Sequence, residues 1–87
     1  MAAKMLWSFY CNDNSKFKTQ AEVLEYVANS TKPMKHTHGF GYRNPSVNKR
    51  DIPLSTALRL IEKECYVDVS EYDDYIHINT FSEMDMW

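Results

Sequence analysis

The sequence predicts a single α+β domain, with two helices packed on an antiparallel or mixed sheet of about four strands in the order β-α-β-α-β-β. Three observations lead there. Short runs alternate apolar and polar residues with the period of a strand. Thr19 and Glu22 stand at the spacing of a capping box at the start of a helical run. Two alternating runs, "YVDVSEY" and "YIHINTF", flank Asp73-Asp74 like the arms of a hairpin.

In chain order, "KMLWSFYC" sorts Met5, Trp7, Phe9 and Cys11 onto one side of a first strand and Leu6, Ser8 and Tyr10 onto the other. "NDNSKFK" breaks it with loop-forming residues. In "TQAEVLEYVANS" the Thr19 hydroxyl is placed to accept from the Glu22 backbone N–H, with the Glu22 side chain reaching back to the Thr19 N–H. Ala21, Leu24, Val27 and Ala28 then share a helical face, with Val23 beside them, until Asn29-Ser30 and Pro33 end the helix.

"KHTHGFGYRNP" follows as a second strand. Met34, His36, His38, Phe40 and Tyr42 share one face, and Lys35, Thr37, Gly39, Gly41 and Arg43 the other. The polar run 44–52 is expected to be a mobile basic loop. In "IPLSTALRLIEKEC" Ser55 is the expected N-cap, and Leu58, Ile61 and Cys65 form the buried stripe, with Ala57 and Leu54 near it. In the hairpin, an even-numbered loop opposes Val69 to Ile78, Val67 to Thr80 and Glu71 to Ile76. Asp-Asp lacks the glycine of a two-residue turn, so a four-residue loop is favoured.

Eighty-seven residues hold one core, so residues 1–87 are read as one domain with an acidic tail at 82–87. A hydrophobic fraction of 44% and a charged fraction of 25% exclude a disordered or fibrous chain. Two cysteines, Cys11 and Cys65, are too few for a disulfide scaffold. "MAAKMLWSFYCND" lacks the length and cleavage signature of a secretory leader, and no apolar run approaches a membrane span. The expectation is a cytoplasmic protein with reduced thiols and no membrane contact.

Charge is unevenly spread. Residues 1–50 carry eight Lys or Arg against three Asp or Glu, and residues 51–87 carry two against nine, within a total of −2. Such asymmetry fits a partner surface, or pairing between the two halves inside the fold.

Catalytic signatures are absent. There is no phosphate-cradling loop, nucleophile elbow or dinucleotide fingerprint. Asp68, Ser70, His77 and Asn79 gather on the hairpin's outer face like pieces of an acid–base site, but ordinary cross-strand pairing on a solvated face accounts for them. Neither cysteine has an activating environment in sequence. No enzyme and no cofactor is expected.

Binding remains. The leading expectation is a protein–protein accessory or inhibitor of the phage or mobile-element type, with Tyr66, Tyr72, Tyr75, Phe81, Met84, Met86 and Trp87 meeting the partner. The alternative is a single-stranded nucleic acid or phosphate ligand held by segment 32–50. There Lys35, Arg43, Lys49 and Arg50 would meet phosphates, and His36, His38, Phe40 and Tyr42 would meet bases. A third reading is weak metal binding through His36 and His38, with Cys11, Cys65 or His77 completing the set. An unpaired sheet edge would also support a homodimer.

Overall fold

A computed structural model describes residues 4–9, 15–39, 49–64 and 66–81. Among these residues the order is β1 (Lys4–Ser8), α1 (Gln20–Ala28), β2 (Met34–His38), β3 (Arg50–Ile52), α2 (Leu54–Lys63), β4 (Val67–Glu71) and β5 (Ile76–Thr80). The α+β architecture is the expected one, with one strand more than expected. The strands form one mixed sheet in the order β1-β4-β5-β2-β3. Only β2 and β5 run parallel, since a parallel pair needs the long crossover that β3, α2 and β4 provide.

The additional strand, β3, lies inside the stretch read as a mobile loop. It pairs antiparallel with β2, setting Lys35 beside Asp51 and His36 beside Arg50. Three polar-flanked residues carry no strand signature of their own, and the pairing with β2 creates the strand.

The hairpin register is the predicted one: Val67 opposes Thr80, Val69 opposes Ile78 and Glu71 opposes Ile76. The strands stop at Glu71 and Ile76, leaving the expected four-residue connection, which closes with the Tyr72 N–H donating to the Tyr75 carbonyl at 2.8 Å. In β2, Met34, His36 and His38 align with Ile76, Ile78 and Thr80, so the predicted sorting of that strand holds over the described residues.

One sheet face carries the apolar core: Met34, Val67, Val69, Ile76 and Ile78, joined by Val23 and Val27 from α1 and Ala57 and Ile61 from α2. Strand β1 departs from simple alternation. A register shift between Met5 and Trp7 brings both Leu6 and Trp7 into the core, although alternation assigned them to opposite faces. Beyond β1 the chain returns along its outer edge. There the Lys16 and Phe17 N–H groups each donate at 3.0 Å, to the Met5 and Leu6 carbonyls, and cover an edge that would otherwise be open.

The Thr19 cap is as predicted: its hydroxyl oxygen accepts from the Glu22 N–H at 3.3 Å. The same hydroxyl donates to the Glu22 carboxylate at 2.9 Å, so the side chains of the box meet each other. The buried stripe of α1 is Val23 and Val27, one turn apart, and Ala21 and Ala28 are exposed. The reason is that α1 packs beside both β1 and α2, which centres its inner face one position away from the expected one. Helix α2 starts two residues earlier than expected, with Pro53 as its N-cap, and Ser55 lies inside the first turn. Proline's fixed φ suits the extended cap position, and the cap makes no side-chain hydrogen bond. Gln20 of α1 donates to the Ile61 and Glu62 carbonyls, satisfying C-terminal groups of α2 and tying the helices together.

Candidate functional site

Four aromatics expected to line one surface divide between the two ends of the hairpin. At the open end Phe81 is buried, at 5% exposure, against Phe9, whose ring also meets Tyr66 edge-on at 5.3 Å. These rings close the core's margin. At the turn, Tyr72 and Tyr75 stack at 4.6 Å with 13° between their planes, and both are half-buried. Asp73 and Asp74 stand exposed between them. Met84, Met86 and Trp87 lie outside the described residues.

Two lysines buttress the stacked pair. The Lys32 ammonium donates to the Tyr72 carbonyl at 2.8 Å, and its nitrogen is 3.4 Å from a Glu71 oxygen. The Lys35 ammonium lies 5.6 Å from the centre of the Tyr75 ring and bonds Asp51 at 2.9 Å. Burial is the leading reason the Tyr75 phenol titrates above its ordinary value, and Tyr72 and Asp74 reinforce it. The hairpin end is therefore a preset aromatic platform carrying two carboxylates.

The basic segment is distributed differently from the phosphate-binding arrangement. Its described lysines at 32 and 35 are engaged by carboxylates from the acidic half of the chain. His36 and His38 lie on the helix-facing side of the sheet, where both turn toward the Thr80 hydroxyl, His36 Nε2 at 2.9 Å and His38 Nδ1 at 3.2 Å. A hydroxyl can donate to one ring and accept from the other, so the pair has a structural use. Burial is the main cause holding the His36 ring below its ordinary pKa, with His38 and Arg50 adding repulsion. Lys49 is half-buried and Arg50 exposed, while Phe40, Tyr42 and Arg43 lie outside the described residues.

Gly39 has a backbone role. It ends β2 at φ 71°, a conformation glycine adopts without Cβ strain, and its N–H donates to the Thr80 carbonyl at 2.7 Å. Gly41 falls outside the described residues.

Metal ligation draws no support from His77, whose strand position places it on the sheet face opposite His36. Among the described residues no three His, Cys, Asp or Glu side chains converge. Cys11 and Cys65 lie outside those residues.

The outer hairpin face, read as solvated, is buried at His77 and Asn79 and half-buried at Asp68 and Ser70. His77 is 3% and Asn79 2% exposed, as is Thr37 beside them at 4%. Thr37 donates to Asn79 Oδ1 at 2.5 Å, Asn79 Nδ2 donates to the Gly39 carbonyl at 2.9 Å, and His77 Nε2 is 2.7 Å from the Thr37 oxygen. Burial first, then the charges of Lys49 and His36, lower the His77 pKa to about 4. Asp68 moves the other way. Burial raises its carboxyl against the pull of Ser8 and the Phe9 N–H, and its Oδ1 is buried with no hydrogen-bond partner among the described residues.

Sequence reasoning did not single out the groove beside α1. About 600 Å³ in volume, it is lined by Phe17, Glu22, Glu25 and Tyr26 and reaches Lys32 and Glu71. Tyr26 donates to Glu71 at 2.7 Å. Burial works to raise the Glu71 carboxyl, but Tyr26 and Lys32 outweigh it and hold it below its ordinary value. No local spacing announces this assembly, because α1 and the far end of β4 are 45 residues apart at the Tyr26–Glu71 bond.

No family model, curated protein or solved structure matches the chain. Among the described residues no helix is long and apolar enough to cross a membrane.

Proposed function

We propose that the protein is a small non-enzymatic binding protein that engages a protein partner through the end of its β4–β5 hairpin, as an accessory or inhibitor. The observation that carries this reading is the stacked Tyr72–Tyr75 pair with Asp73 and Asp74 exposed between them. Tyrosine supplies large contact area for the loss of only two side-chain torsions, and the two rings already fix each other's orientation. The lysine contacts at Tyr72 and Tyr75 reduce the ordering that association would otherwise require. Two exposed carboxylates give the platform a sign, so the complementary partner surface is basic.

The nucleic-acid reading has less in its favour. Phosphate binding draws on cations that release counterions, and Lys32 and Lys35 already face Glu71 and Asp51.

The test is capture from a lysate of the source cell on immobilised full-length chain, with and without nuclease, beside the Asp73→Lys/Asp74→Lys variant. Both substitutions are in the exposed turn, so a thermal melt should match the parent. The reading expects a specific protein that survives nuclease and is lost with the double variant. Retention by the variant, or loss of the bound material with nuclease, contradicts it.

A further inference from the structure

We propose that the groove beside α1 seats an arginine side chain of the protein partner. The identity of the ligand as a partner's side chain rests on the function proposed above; the seat itself rests on the groove's own geometry.

The groove has an aromatic wall and an anionic rim. Phe17 and Tyr26 pack at 5.3 Å, tilted by 49°. The Lys16 ammonium lies 4.6 Å from the Tyr26 ring centre and 5.2 Å from that of Phe17. A cation within about 6 Å of two ring centres marks where the ring quadrupoles are attractive to positive charge. Lys16 is itself exposed, and among the described residues no carboxylate pairs with it.

The rim distinguishes this groove from a generic aromatic corner. Glu22 and Glu25 lie on the α1 side, both exposed, and among the described residues neither forms an ion pair. Glu71 on the opposite side is already committed to Tyr26 and Lys32. A ligand cation in the seat would thus gain Glu25 without disrupting a made pair, with Glu22, which accepts from the Thr19 hydroxyl, beside it. Arginine fits better than lysine, because a planar guanidinium stacks on a ring while its edge forms two parallel bonds to a carboxylate. A lysine ammonium meets a ring or a carboxylate only as a point charge, without the stacked plane or the paired bonds.

Position ties the groove to the hairpin end. Lys32 lines the groove and bonds the Tyr72 carbonyl, and Glu71 precedes Tyr72 directly. A basic segment lying across Asp73 and Asp74 would meet the groove next, so one partner chain can use both.

The experiment is a titration of the full chain, labelled with nitrogen-15, with acetyl-tetraarginine amide, followed by amide chemical shifts. Acetyl-tetralysine amide and acetyl-tetraglutamate amide serve as controls. Saturable shifts are expected at residues 16–17 and along α1, stronger for tetraarginine than tetralysine and absent for tetraglutamate. Glu25→Gln, at an exposed position, should loosen tetraarginine binding about two- to fivefold. Shifts confined to residues 73–74, or groove shifts whose affinity is unchanged in Glu25→Gln, would overturn the proposal. Because the peptide assay needs no partner, its success beside a failed lysate capture sinks only the hairpin reading, and the converse sinks only this one.

Discussion

His77 donates its Nε2 proton to the Thr37 hydroxyl, 2.7 Å away, because that hydroxyl's own proton is committed to Asn79 Oδ1. The arrangement fixes the neutral tautomer of a histidine that is 3% exposed. A second proton on His77 would place a charge in a buried site where Lys49 and His36 already oppose it. Of the residues that in sequence resembled pieces of a catalytic site, His77 and Asn79 thus belong to a structural network with Thr37 and the Gly39 carbonyl.

That network gives the fold an acid limit. In the folded protein His77 stays neutral down to about pH 4, whereas in the unfolded chain it takes up a proton near its ordinary pKa of about 6.5. Between those values the unfolded chain binds more protons, so stability falls as pH falls through that window and this contribution levels off below it. The loss from this residue is bounded at about 3 kcal/mol. His36, also depressed, acts in the same direction. Urea midpoints at about pH 7 and about pH 4.5 should differ clearly in the parent and much less in His77→Gln, whose amide can still donate to Thr37. Equal pH sensitivity in the two proteins would place the acid limit elsewhere.

Asp68 has the opposite sign. Its folded carboxyl is raised, so its favourable contribution belongs to the protonated form and is lost as pH rises through the folded pKa. When ionised the group is a liability, with one oxygen that has no hydrogen-bond partner among the described residues. Asp68→Asn keeps an acceptor for Ser8 and the Phe9 N–H and removes the charge. It should raise the melting temperature at pH 7, by a gain held to about 1 kcal/mol by the site's partial access to solvent. A lower melting temperature would mean that the carboxylate is compensated by an interaction stronger than those two bonds.

Helix α1 depends on its cap. Thr19→Ala removes the acceptor for the Glu22 N–H and should lower stability by about 0.5–2 kcal/mol, measured by chemical denaturation. Thr19→Ser should recover most of it. An undiminished Thr19→Ala protein would show that packing of Val23 and Val27 alone sets the start of the helix.

These outcomes also mark what could be seen in the sequence. The hairpin register was legible because an even loop around Asp73-Asp74 admits only one sorting of Val67, Val69, Ile76 and Ile78. The cap was legible because Thr19 and Glu22 are local. The Leu6 bulge was not, since it arises from how Trp7 meets Val69 across the sheet. Nor was β3, where "RDI" becomes a strand only against Met34, Lys35 and His36. The burial of His77 and Asn79 was missed for a related reason. Polar alternation reads as a wet face unless the partners that satisfy it, here Thr37 and the Gly39 carbonyl, are known. The hairpin-end pair was half legible: sequence named Tyr72 and Tyr75 but grouped them with Tyr66 and Phe81, which close the core at the other end.

The central claim, that the hairpin end meets a protein, is tested most directly by site-specific photo-crosslinking. A benzoylphenylalanine replaces Asp74, and a control carries it at Lys63, the exposed last residue of α2. The account predicts one discrete adduct from position 74, resistant to nuclease, removed by protease and missing from position 63. A nuclease-sensitive adduct, or equal crosslinking from both positions, would contradict it.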